Sequence, residues 1–254
     1  MRRNAWLRRA GAVVTSAAVA ATLTLLSPGA AQASVHASFG ALANADADYS
    51  GPTLGGDCTL VSPVGSNTVV SSVANFKRGT RTRSADLDAT FASTDNAADT
   101  VRVRAHVKST LTVRKRHRDL RSFDMATGGS VTISHSMANS TCIGSGIAVG
   151  SAEIRFSEHR SGWLTLTRDT KKPHSLVEFL LLNRDTSESV AVDFHVGSKS
   201  HATARVRLKP GRYVLEAGIE GFEAGASIFT KSAQPRSTKV AKTITVHAEF
   251  KPKK

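Results

Sequence analysis

The densest chemistry in this sequence is cationic. Arg102, Arg104, His106 and Lys108 recur at every second position, and the run continues through Arg114, Lys115, Arg116, His117 and Arg118 to Arg121. On a strand, alternate residues share one face at a spacing of ~7 Å, so these groups form a ladder suited to repeating phosphates or carboxylates. Lys77, Arg78, Arg81 and Arg83 precede the neighbouring apolar segment and extend the cationic surface if the two segments pair. The competing reading is structural, because charges along an edge strand keep it from joining another sheet.

Other chemistry finds little support. Ile143-Gly144-Ser145-Gly146 has the wrong spacing for a nucleophile elbow and reads as a turn. The nine histidines show no His-Glu-x-x-His and no cluster with carboxylates. Glycoside hydrolysis needs paired carboxylates, and Glu216, Glu220 and Glu223 lie close together in sequence. Glu216, however, alternates with Tyr213, Leu215 and Ala217 as the wet face of a strand, and the other two sit in a Gly-bounded loop. Asp46, Asp48 and Asp57 lack the spacing of a calcium loop. We therefore expect a protein without catalytic residues, metal or cofactor.

The N-terminus sets the compartment. Arg2, Arg3, Arg8 and Arg9 precede an apolar run over residues 10–26, helix-breaking Ser27-Pro28-Gly29, and Ala31-Gln32-Ala33. That is the pattern of a general secretory signal peptide over residues 1–33, cleaved after Ala33. The apolar run is short of the ~20 residues a membrane span needs and is diluted by threonine and serine. The expected location is outside the cell, and the alanine, arginine, glycine and valine bias points to a bacterial source.

Charge and cysteines bound the rest. The chain carries 34 Lys+Arg against 20 Asp+Glu, a formal net charge of +14, and loss of the signal would remove four arginines and no acid. The remaining surplus favours acidic partners, such as an anionic cell-wall or extracellular polysaccharide, through long-range steering. Aromatic residues are only 6%, which supplies few stacking platforms for nucleic-acid bases or sugars. Cys58 and Cys142 allow one internal pairing, and in an exported protein a disulfide is the expected state.

These groups must be positioned by strands. Residues 101–113 alternate without interruption, with Val101, Val103, Ala105, Val107, Leu111 and Val113 on one face. A strand this long is expected to bend or bulge near Ser109. Residues 85–91 are its expected partner. Further alternating segments fall at 130–136, 152–156, 162–167, 190–196, 202–208, 213–219 and 243–250, with a continuous apolar run at 176–182. Lys209-Pro210-Gly211-Arg212 fits a type II turn, with glycine at the positive-φ position. The strands flanking it resemble those of jelly-roll binding modules appended to secreted bacterial enzymes, a fold-level analogy.

The expected fold is all-β: an antiparallel β-sandwich, jelly-roll-like, made of two packed β units. A flexible arm over residues 34–57, rich in Ala, Gly, Ser and Asp, precedes a disulfide-bonded unit at 58–158 and a second unit at 162–254. The functional expectation is a non-enzymatic protein acting at or outside the bacterial cell surface and binding an anionic polymer. An exported hydrolase or accessory domain of a carbohydrate-active enzyme, or a structural envelope protein, are the alternatives.

Overall fold

A computed structural model describes residues 35–51, 56–62, 69–117, 119–170, 176–194, 201–225 and 237–253, which belong to a single compact unit. Thirteen strands account for nearly all of them: β1 His36–Tyr49, β2 Cys58–Ser62, β3 Val69–Phe76, β4 Gly79–Ser93, β5 Thr100–Arg116, β6 Asp119–His135, β7 Cys142–Glu158, β8 Gly162–Thr170, β9 Leu176–Asn183, β10 Ser189–Phe194, β11 His201–Leu208, β12 Gly211–Gly225 and β13 Ser237–Pro252. No helix occurs among the described residues, and none is long and apolar enough to cross a membrane.

The strands form two antiparallel sheets packed as a sandwich. One runs β10-β9-β12-β7-β1-β3 and the other β11-β8-β13-β6-β5-β4-β2. Each sheet contains strands from before and after residue 160, so the expected division into units at 58–158 and 162–254 gives way to one continuous sandwich. The reason is sheet pairing: β13 closes the gap between β6 and β8, and β12 does the same between β7 and β9.

The arm expected at 34–57 is instead mostly β1, paired along its length with β7 and β3. Its small residues are what the site requires. Ala37, Phe39, Ala41, Ala43, Ala45 and Ala47 face inward beside Gly144 and Gly146 of β7, and a Cβ on Gly146 would come within 2.6 Å of Val131 and 2.8 Å of Val103. One sheet thus offers alanine and glycine where the other offers valine and isoleucine, so large side chains of one layer meet small ones of the other. Counting large side chains in isolation misjudges such a strand.

The expected disulfide is present. Cys58 on β2 and Cys142 on β7 are bonded, with Cα atoms 5.8 Å apart, so the bridge ties one sheet to the other. Nearby, buried Asp99 accepts the Thr141 N–H at 2.6 Å and the Thr141 hydroxyl at 2.9 Å, holding the loop that leads into Cys142.

Two local expectations are corrected. Strand β5 does not bulge at Ser109, which is fully buried and shares a hydrogen bond with Thr127 at 2.9 Å; the irregularity falls later, at Arg114/Lys115. Gly211 is not in the positive-φ region, so Lys209–Arg212 is not a type II turn. The chain instead crosses from one sheet to the other. The Tyr213 hydroxyl fixes this corner by donating to the Lys209 carbonyl at 2.7 Å and accepting the Lys209 N–H at 3.2 Å.

Candidate anion-binding site

Antiparallel order brings the connections β3–β4, β5–β6, β7–β8, β9–β10 and β11–β12 to one end of the sandwich, opposite the disulfide. At that end Arg78, Arg114, Lys115, His117 and Arg121 converge around a depression of about 690 Å³. Gly79 and Val113 complete its wall. Three features of the chain build it.

The first is the β3–β4 crossover. Gly79 has φ +91°, a left-handed conformation that glycine adopts without penalty, and it delivers Arg78 to the rim. The second is the β5–β6 connection, where His117 also has positive φ, at 57°. The third is a bulge. Arg114 pairs with Ser122 and Lys115 with Leu120, which leaves Arg121 as the extra residue. A bulge re-aims side chains, and here Arg121 is exposed between buried Leu120 and Ser122.

The individual ladder residues divide into two groups. In mid-strand the cations are largely answered by acids. Asp88 accepts Arg102 Nε at 2.7 Å and Nη2 at 2.5 Å and lies 3.3 Å from Arg104 Nε. Arg102, opposed in part by desolvation, holds the Asp88 carboxyl below its ordinary value. His106 Nδ1 meets Asp86, its direct cross-strand neighbour. Lys108 stands between Ser84 and Gly128 and makes no ion pair among the described residues.

Near the end of the strand the balance changes. Arg114 is paired with Asp124, which also takes His247 Nδ1 at 2.5 Å. Lys115, Arg116, His117, Arg121 and Arg78 make no ion pair with any described residue. Arg118 lies outside the described residues. The second cluster splits as well. Strands β4 and β5 do pair as expected, but Arg81 and Arg83 occupy the opposite parity from the ladder. Arg81 lies 5.9 Å from the Phe76 ring centroid, and Arg83 Nε donates to the Val73 carbonyl at 3.0 Å, so both turn toward β3.

Behind the depression, at the start of β6 and the end of β7, sits a second set of titratable groups. Glu158 is 2% exposed, and the Leu120 N–H lies near its carboxylate but is too poorly placed for a full hydrogen bond. Burial, with Asp119 nearby, pushes its pKa up to about 8. Asp119 in turn receives His159 Nδ1 at 2.5 Å. The sequence treats residues 158–162 as a boundary, and only the folded chain places this buried acid. Its burial keeps it from contact with a substrate.

On the outer face, Asp169, His201 and Thr203 stand in carboxylate–imidazole–hydroxyl order at 2.5 and 3.3 Å. His201 and Asp169 are more than half exposed, and bulk water weakens the electrostatic activation a nucleophile requires. Glu216 is exposed on β12, as the sequence pattern indicates. Glu220 and Glu223 fall within β12 and not in a loop, because β9 and β7 pair with this part of the strand, and their side chains lie outside the described ones. No group of three or more His, Cys, Asp or Glu among the described residues is arranged to hold a metal ion.

No family model matches the chain, and no curated protein matches it. Among solved structures it is similar to the enzymatically active domain of tailspike protein 4 from bacteriophage CBA120, at 10% identity and TM-score 0.25, covering 45% of this chain and 16% of that one. It is also similar to a carbohydrate-binding module of the β-sandwich superfamily, at 9% identity and TM-score 0.22, covering 88% of this chain and 87% of the other. A third is the GH31 α-xylosidase from Xanthomonas citri, at 9% identity and TM-score 0.19, covering 77% of this chain and 28% of that chain. At these scores the likenesses carry no functional argument, and the site must be read from its own chemistry.

Proposed function

We propose that this chain is an exported, non-enzymatic β-sandwich protein that binds an anionic cell-wall or extracellular polysaccharide. The observation that carries the reading is the convergence of Arg78, Arg114, Lys115, His117 and Arg121 on one depression, with only Arg114 held by a carboxylate among the described residues. Such a cluster offers forked guanidinium donors and an ammonium to a multiply charged chain, and its exposure leaves the binding energy dependent on salt.

The far end of the sandwich carries Asp48, Asp57, Asp95 and Asp99, so the charge of the described residues is polarised along the strands. A dipolar body of this kind steers its positive end toward a polyanion. The sulfur bridge across the two sheets suits an oxidising, extracellular compartment, in keeping with the signal-like N-terminus.

The experiment is retention on immobilised heparin, eluted with salt. We expect the protein to bind at low ionic strength and to elute earlier when Lys115→Glu and Arg121→Glu are combined. Failure of the unaltered protein to bind any acidic polysaccharide at low salt would remove this reading.

A further inference from the structure

Trp163 is the one large exposed aromatic among the described residues, at 42% exposure, and it lies on the outer face of the seven-stranded sheet near the cationic end. Its cross-strand neighbours are Arg207 on β11 and Lys251 on β13. Arg205, one step along β11, places its guanidinium carbon 5.2 Å from the ring centroid. Glu249 takes Lys251 at 3.0 Å, whereas Arg205 and Arg207 make no ion pair with any described residue. An exposed indole is thus surrounded by three cations drawn from two flanking strands.

We propose that Trp163, Arg205, Arg207 and Lys251 form a second subsite, which takes an acidic sugar residue of the polymer. This rests on the anionic-polysaccharide reading above. The indole face is electron-rich and attracts the positively polarised C–H face of a sugar ring. The two guanidinium forks match a carboxylate or sulfate projecting from the ring edge. Arg205, with its guanidinium carbon 5.2 Å from the ring centroid, is already partly ordered over one face of the indole, so less rotamer entropy is lost when a sugar takes the other face.

A nucleic acid fits less well. Readers of single strands stack successive bases on several aromatic side chains, and this face presents one. From β8 to β5 the sheet spans three strand spacings, about 14 Å, so an extended polymer lying across the strand ends reaches both Trp163 and the depression at Lys115. Two linked weak sites raise the retention of a long chain above that of either alone.

The test compares two polyanions, a heparin oligosaccharide and linear polyphosphate, by titration calorimetry against the exported protein, residues 34–254, and three variants. Trp163→Ala is expected to weaken heparin binding about tenfold and polyphosphate binding less than about twofold, while Trp163→Phe retains most of the heparin affinity. Lys115→Glu is expected to weaken both. With residues 1–33 removed, Trp163 is the sole indole, and heparin should shift its emission while polyphosphate should not.

An unchanged heparin affinity in Trp163→Ala, or an equal loss for both polymers, overturns the subsite while leaving the depression intact. Binding of oligo(dT) that is tighter than heparin and depends on Trp163 overturns it in favour of a nucleic-acid face. Absence of binding to either polyanion by the unaltered protein would instead sink the broader reading.

Discussion

Asp88 on β4 grips Arg102 on β5 through both carboxylate oxygens, at 2.7 and 2.5 Å, across neighbouring strands of the seven-stranded sheet. About half of each side chain is exposed, so water screens the pair and the entropy of holding two side chains offsets much of the attraction. We expect a double-mutant cycle with Asp88→Ala and Arg102→Ala to yield little or no coupling in urea unfolding. A strong coupling would mean that this face is packed against something in the assembled state.

Glu158 gives the fold a pH dependence of definite sign. Its carboxyl titrates near 8 when folded, against an ordinary 4.5, because burial disfavours the charged form and Asp119 adds repulsion. The folded state therefore holds a proton that the unfolded chain releases, and stability falls as pH rises from about 4.5 to about 8, then levels off. The slope is at most about 1.4 kcal/mol per pH unit from this group. Glu158→Gln should flatten the profile in that window when unfolding free energy is measured from pH 5 to 9. An unchanged slope would show that Glu158 is hydrated and ionised.

The bridge between Cys58 and Cys142 ties two sheets across a sequence separation of 84. In the chain-entropy model such a loop restricts the unfolded ensemble by ~4–5 kcal/mol, and native bridges typically contribute about 2–5. Replacing both residues by serine should lower the denaturant midpoint by a corresponding amount without changing the strand signature in far-UV circular dichroism. A midpoint within error of the parent protein would place the clamping of the sheets in the core alone.

The tight packing of the layers at Gly144 makes its own demand. A Cβ at Gly144 would lie 2.6 Å from Val101 and 3.0 Å from Ile133. Neither neighbour is a flexible chain end, so Gly144→Ala should destabilise by about 1–3 kcal/mol as an overpacked core site. Val101→Ala combined with Gly144→Ala should recover part of that loss, and a purely additive pair would contradict the steric account.

Much of this architecture can be read from period-two patterning. Residues 101–113 appear as one strand because valines alternate with charges, and β5 keeps that parity throughout its length. The cysteine pairing follows from inventory alone. Strand β1 is harder to read because its inward residues are mainly alanine, and their value depends on Val103 and Val131 across the gap. The Arg121 bulge is invisible in one dimension, since it depends on the register of β5 against β6. Trp163 meets Arg205 because β11 pairs with β8, and Lys251 because β13 inserts between β6 and β8, pairings between strands separated in sequence. Glu158 carries no sequence sign of burial beyond its place at the end of an alternating segment.

The proposed anion binding resides at the end of the sandwich and not on the mid-strand ladder. It is tested most directly by measuring the salt dependence of heparin affinity for two charge-matched double variants: Lys115→Glu with Arg121→Glu, and Arg102→Glu with Arg104→Glu. Because Asp88 already engages Arg102 and Arg104, the first pair should lose the larger share of affinity and flatten the salt dependence more. Equal losses, or a larger loss from the Arg102 and Arg104 pair, would contradict the account.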